Sequence, residues 1–314
     1  LVLVSGRAHP ELAQAVANEL GCELVPTTAY EFANGEIYVR YKESVRGAIA
    51  FVLQSHTQPI NTWIMEQLIM VDALKRASAR AITVVSPFYG YARQDKKHRG
   101  REPISGRLVA DLFKTAGATR LISVDLHTAQ IQGFFDGPVD HLWALPLLSN
   151  YVRGRVDRAK LTIVSPDAGR VRVADQWSDR LGAPLAIIHK RHDPTVANQV
   201  KVHELVGEVQ GRTCVIVDDM IDTAGTIVQA ADALFENGAA EVLVAATHAV
   251  MSGAAIDRLR DSRISEVVVT DTLPLDEDKR IDKLTVLSIA PLIARAIREV
   301  FDDGSVTSLF DGNA

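Results

Sequence analysis

The chain has 314 residues, 47% hydrophobic and 23% charged, with a formal net charge of −5. One hydrophobic core rarely serves a chain of that length, so two domains are expected, and the acidic balance argues against non-specific nucleic-acid binding. Cys22 and Cys214 lack CxxC or Cys/His zinc spacing, the opening residues 1–4 are too short an apolar run for a signal sequence, and no apolar run reaches membrane-spanning length.

The expectation is therefore a cytoplasmic protein with no membrane and no nucleic-acid partner, its initiator residues missing. A strand is predicted over 1–4, a helix over 10–20 opened by Pro10, and a second strand over 23–25, the βαβ rhythm of a parallel sheet. Asn34-Gly35 marks a tight turn before the alternating residues 37–40, which by composition alone are a surface hairpin. Residues 48–54 read as a strand, and 61–79 as a helix whose apolar face carries Ile64, Leu68, Val71 and Leu74. A strand over 81–85 then leads into a loop bearing Arg93, Lys96, Lys97, Arg99 and Arg101. Those cations are either a solvated face or, with Tyr89, Tyr91 and Arg93-Gln94, a grip on a nucleotide.

A helix over 109–116 and a strand over 120–124 end at Asp125-Leu126-His127; residues 133–138 read as a loop, and a helix begins near Pro146. The stretch 110–127 aligns without gaps on 231–248, each a helix, a Gly-Ala stop and a strand ending at His, which predicts a duplicated α/β domain. In the second half, a strand over 161–164 ends in Ser165-Pro166-Asp167-Ala168-Gly169-Arg170, a candidate anion loop, and a strand over 185–188 ends in the basic tip His189-Lys190-Arg191-His192, on a stretch expected to be mobile as far as Gln199. Later strands are predicted over 242–246, 267–270 and 284–289, with a closing helix near 291–301.

The most informative stretch is 213–226. Residues 213–217 read as a buried parallel strand and 227–235 as a helix, so the loop between them joins a strand's carboxyl end to a helix's amino end. Unpaired N–H groups there, with small Ala224 and Gly225 and the hydroxyls of Thr223 and Thr226, suit an anion, while Asp218 and Asp219 suit sugar hydroxyls or a hydrated cation. Together they point to a sugar phosphate. A simple helix cap at Asp222 or Thr223 is the bland alternative.

The pattern of an apolar strand, DD, two residues and DTAGT resembles the phosphoribosyl-diphosphate binding motif. With FANGE, YGYARQDKK, REPISGRLVADL, DLHTAQIQGFFDGPVDHL, SPDAG, IHKR and SVTSLF, the whole chain resembles the class I ribose-phosphate pyrophosphokinase family. That resemblance implies an α/β fold of two duplicated phosphoribosyltransferase-like domains, each a mainly parallel sheet flanked by helices, here residues 1–143 and 144–301 with a tail over 302–314 returning to the first. It implies a homohexamer built from dimers and transfer of the β,γ-diphosphoryl group of ATP to O1 of ribose 5-phosphate, for nucleotide biosynthesis.

On matching positions the resemblance implies that Asp218 and Asp219 hold the ribose hydroxyls and that Asp222, Thr223, Ala224, Gly225 and Thr226 wrap the 5-phosphate. Phe32, Asn34 and Glu36 would reach ATP from a neighbouring subunit, completed by Arg93 and Gln94. His127 and Asp167 would hold Mg2+, and Asp167, Ala168, Gly169 and Arg170 would cradle diphosphate, Arg170 standing where Gly is usual. Lys190 and Arg191 are the expected catalytic flap cations, with His192 the alternative second one. Ser44, Arg46, Ser78, Ser305, Thr307 and Phe310 would form an allosteric site for activating inorganic phosphate and inhibiting ADP, Phe310 offering an aromatic face. Two rivals remain: a phosphoribosyltransferase, against which FANGE and ARQDKK count, and a non-catalytic regulatory subunit.

Overall fold

The computed structural model describes residues 1–192 and 201–310; of residues 190–192 and 201–203 only the backbone is described. The chain divides into two compact units, Leu1–Trp143 with Thr272–Pro274 and Ser288–Ala314, and Ala144–Asp271 with Leu275–Leu287.

The first unit begins with β1 (Val2–Ser5), helix α1 (Pro10–Leu20), the hairpin strands β2 (Thr27–Glu31) and β3 (Ile37–Tyr41), and β4 (Ile49–Leu53). It continues through α2 (Ile60–Arg76), β5 (Ala81–Ser86), α3 (Ser105–Ala116), β6 (Arg120–Val124) and β7 (Val139–Leu142). The five strands β1-β4-β5-β6-β7 form a parallel sheet in that order, and β2 pairs β3 antiparallel apart from it. Apolar runs such as Ile49–Leu53 suit strands covered on both faces. Helix α1 starts at Pro10, where the missing N–H costs nothing, and stops at Gly21, which adopts φ 66°.

The second unit holds α4 (Leu145–Arg155), β8 (Leu161–Ser165), α5 (Val171–Leu181), β9 (Leu185–His192) and β10 (Lys201–Val206). After them come β11 (Thr213–Ile221), α6 (Gly225–Glu236), β12 (Glu241–Ala249), α7 (Ala255–Asp261), β13 (Glu266–Thr270) and β14 (Leu284–Leu287). Its sheet order is β10-β9-β8-β11-β12-β13-β14, parallel except for the antiparallel β9–β10 edge.

Setting the hairpins aside, β8-β11-β12-β13-β14 repeats the order β1-β4-β5-β6-β7, so the fold is α/β with one topology used twice. The gapless match of 110–127 to 231–248 is out of step with this repeat by one helix–strand step: it pairs β6, fourth in its parallel series, with β12, third in the other. A helix leading into an apolar strand recurs at each step of such a fold, so local similarity alone does not fix the register.

Three further expectations change. Residues 23–25 make only an isolated bridge, Leu3 to Leu24. In α2 the fully buried positions include Glu66 and Gln67, whereas Leu68 is only partly buried. The closing helix α8 (Ala290–Phe301), assigned from sequence to the second domain, belongs to the first unit, where Arg298 Nη2 donates to Leu20 O at 2.7 Å.

Candidate functional site

In the second unit the sheet extends further than the sequence reading allowed. β11 stays paired with β12 through Asp218 opposite Ala246 and Met220 opposite His248, so the two acids belong to the strand's carboxyl end and not to a loop. Neighbouring residues of a strand send side chains to opposite faces, yet both carboxylates reach one cation. Arg170 Nε lies 3.0 Å from Asp218 Oδ1, and Arg170 Nη2 lies 2.7 Å from Asp219 Oδ1. Asp219 N also donates to Asp218 Oδ1 at 2.8 Å. Burial first, then the charge of Asp219, push the Asp218 carboxyl well above the usual carboxylate range, and Arg170 opposes that shift.

Beyond the strand, Asp222 to Ala224 turn into α6. Ala224 is buried and takes φ 60°, a left-handed conformation unusual for a residue with a Cβ. The turn is pinned from outside: Met251 N donates to Ile221 O, Ser252 N to Asp222 O, and Arg258 Nη1 to Thr223 O at 2.7 Å. No side chain caps α6, so the first-turn N–H groups keep the character of an anion cradle. Thr223 and Thr226 are exposed, and a Cβ added at Gly225 would meet its nearest neighbours only at 3.9 Å, leaving room for close approach.

The 165–170 loop follows β8, the neighbour of β11. Asp167 Oδ1 accepts from Gly169 N at 2.8 Å, and Ser165 Oγ donates to Asp167 O at 2.7 Å, so the loop is braced from within, with Ala168 and Gly169 exposed. Arg170 is turned to the acid pair, a placement the sequence reading, which gave it to the diphosphate cradle alone, did not foresee. Its signal is nonlocal: 48 residues separate Arg170 from Asp218. Lys190, Arg191 and His192 lie on β9 by backbone; their side chains, and the stretch from Asp193 to Gln199, lie outside the described residues.

The first unit carries the other candidates. At the tip of the β2–β3 hairpin, Phe32 N donates to Glu36 O and Glu36 N to Asn34 Oδ1 at 3.1 Å, which fixes the tight turn. Phe32 is 47% exposed and clusters with Tyr30 and Tyr38, ring centroids 5.0–6.3 Å apart. Arg93 and Gln94 are exposed on the loop after β5; Gln94 Oε1 accepts from Ser105 Oγ at 2.7 Å. Glu102 accepts from His98 N and Arg99 N, and those bonds hold its carboxyl low, tying back the basic stretch.

Two buried histidines support these loops. His56 Nδ1 accepts from Gly90 N at 2.8 Å while its Nε2 meets Gln67 Oε1 at 2.8 Å, and burial lowers its pKa to about 4. His141 Nε2 accepts from Leu126 N at 2.9 Å, beside Asp125, whose φ is 37°, and so fixes the turn that presents His127. Among the described residues no three His, Cys, Asp or Glu side chains gather as a metal cluster.

Of the expected allosteric set, the 44–47 turn and Ser78 adjoin, since Gly47 N donates to Ser78 O at 2.8 Å, and Ser44, Arg46 and Ser78 are exposed. Ser305 and Thr307 hydroxyls lie 2.8 Å apart in the tail. Phe310 is 7% exposed and lines a cavity of about 160 Å³ with Trp143 and His141. Its ring is thus mostly buried in the first unit.

Comparison with known proteins gives one consistent answer. Residues 1–117 match the family model of the N-terminal domain of ribose phosphate pyrophosphokinase, and residues 193–311 match that of the phosphoribosyl synthetase-associated domain. The ribose-phosphate pyrophosphokinase of Streptomyces coelicolor is 72% identical over 99% of this chain and 96% of its own length. That of Mycobacterium tuberculosis is 62% identical over 100% of this chain and 97% of its own. The crystal structure of phosphoribosylpyrophosphate synthetase from Mycobacterium smegmatis superposes with a TM-score of 0.91 at 59% identity, covering 96% of this chain and 99% of that one.

Proposed function

The chain belongs to the ribose-phosphate pyrophosphokinase family, and from that premise we propose that it transfers the β,γ-diphosphoryl group of ATP to O1 of ribose 5-phosphate, giving 5-phosphoribosyl 1-diphosphate and AMP. The observation that carries the sugar-phosphate half of this reading is the convergence, at one strand end, of an acid pair and an uncapped helix start. The cradle from Asp222 to Thr226 takes the 5-phosphate, and Asp218 and Asp219 accept from the sugar hydroxyls. The exposed hairpin tip at Phe32, Asn34 and Glu36 reaches the nucleotide of a neighbouring copy within a homohexamer, and Arg93 and Gln94 complete that site.

His127 and Asp167 would hold Mg2+. The Asp167 carboxylate is the hard oxygen donor such an ion takes, and the ion would keep waters and arrive with the nucleotide phosphates. When bound it would neutralise charge on the transferring group. Lys190 with Arg191 or His192 supplies flap cations that align and neutralise the same group while excluding water. The 44–47 turn, Ser78 and the Ser305–Thr307 segment bind inorganic phosphate as activator. The reaction belongs to a cytoplasmic supply of nucleotide precursors; no helix among the described residues is long and apolar enough to cross a membrane.

Incubating the full chain with ATP, Mg2+ and ribose 5-phosphate tests the reading. It predicts AMP in equal amount to phosphoribosyl diphosphate. ADP as the nucleotide product overturns it.

A further inference from the structure

Adjacent strand residues do not ordinarily share a partner, so the geometry at Asp218 and Asp219 requires a cause. Arg170 supplies it. Its side chain is 15% exposed, as is that of Asp218, with Asp219 at 7%, so all three charges sit mostly out of water where an unpaired one is costly. The planar fork meets one oxygen of each carboxylate. The cation comes from the loop after β8, the strand beside β11, so the sheet itself sets the distance. Asp167, on the same loop, turns an oxygen to Gly169 N at 2.8 Å.

We infer that Arg170 is a positioning residue that bridges Asp218 and Asp219 into one fixed acceptor pair for the vicinal hydroxyls of the sugar. This rests on the proposed function and deepens it. Two buried carboxylates side by side repel, and without a cation one keeps its proton. A protonated carboxyl has one acceptor oxygen fewer for a diol that must donate twice. The Arg170 charge opposes that protonation, and its rigid fork sets the spacing of the two carboxylates. A lysine would supply the charge without the fork.

Calorimetric titration of the full chain with ribose 5-phosphate and with 2-deoxyribose 5-phosphate, for the natural protein, Arg170→Met and Arg170→Lys, tests the inference. The natural chain prefers ribose 5-phosphate. Arg170→Met weakens ribose 5-phosphate by roughly tenfold or more, the scale of a charged hydrogen bond, and leaves the deoxy sugar, which depends more on the phosphate cradle, nearly unchanged. Arg170→Lys recovers part of the loss. In Arg170→Met the ribose 5-phosphate affinity also falls more steeply from pH 8 to pH 6.5 than in the natural chain, as an acid pair without its cation takes up a proton more readily. Equal weakening of both sugars in both variants, or a preference that survives Arg170→Met, overturns the role of Arg170. A natural chain that binds ribose 5-phosphate no better than the deoxy sugar overturns the assignment of the acid pair, and this inference with it.

Discussion

The loop after β11 and the loop after β4 hold the same place in their units, at the end of the second parallel strand and before the following helix. One ends in an uncapped helix start with room beside it and the other is filled by its own side chains. After β11 come two acids, a pinned turn and an uncapped helix start. After β4 come Gln54, Ser55 and His56, all at most 1% exposed and all bonded internally. Gln54 accepts from Ala8 N and donates to Glu66; Ser55 Oγ donates to Thr272 O at 2.6 Å; His56 joins Gln67 to Gly90. The same topology therefore offers two candidate crevices, and side-chain chemistry closes one. A fold repeat does not duplicate a site when the polar groups at the strand end already satisfy one another.

Breaking the closed loop should cost stability and spare sugar-phosphate binding. Glu66 is 0% exposed and takes three bonds, from Arg7 N at 2.7 Å, Arg7 Nε at 2.6 Å and Gln54 Nε2 at 2.9 Å. Glu66→Ala leaves those donors without an acceptor and should destabilise the protein by about 4 kcal/mol, read by denaturant unfolding. An Ala variant that unfolds like the natural chain would mean that the network does not hold the loop.

His56 gives the next effect. It stays neutral in the folded protein down to about pH 4, whereas in an unfolded chain it protonates below about 6.5. Unfolding therefore takes up a proton between those values. The contribution is fully present above pH 6.5 and is lost as pH falls toward 4, a total on the order of 3 kcal/mol. His56→Gln should flatten the fall in stability across that window by up to roughly 1.4 kcal/mol per pH unit. An unchanged slope would show that the imidazole titrates normally.

The smallest stability effect belongs to the open loop. Gly225→Ala adds a methyl that meets only Arg258 Nη1 and Thr223 Oγ1 at 3.9 Å, so thermal stability should hold or rise by at most about 1 kcal/mol. In the proposed phosphate cradle the same methyl would stand in the path of the phosphate, and the Michaelis constant for ribose 5-phosphate should rise. Unaltered kinetics would place the phosphate away from this helix start.

The open loop was legible because its residues are consecutive: an apolar strand, acids, small residues and a helical run all lie within 213–235. The closed loop was not. Its partners Gln54, Glu66 and Gln67 are polar side chains buried by contacts across the chain, and Glu66 and Gln67 fall outside the apolar stripe from which helix α2 was read. Strand and helix order was readable for most of both units, but α5, which buries Ala174, Trp177 and Leu181 at helical spacing, went unread although its period was available. The reach of β11 through the acid pair was hidden by the habit of ending a strand at its first charge. Backbone pairing to β12 continues regardless of what the side chains carry. The Arg170 fork and the burial of Phe310 depend on tertiary placement that spacing does not encode.

The central claim is that only the second unit's strand-end loop receives a sugar phosphate. Calorimetric titration of ribose 5-phosphate into the full chain, its Asp218→Asn/Asp219→Asn variant and its Gln54→Ala variant tests this directly. The account predicts one sugar phosphate per chain, a stoichiometry kept by Gln54→Ala and binding greatly weakened in the double Asn variant. Two equivalents per chain, or binding that survives the double variant and disappears with Gln54→Ala, would contradict it.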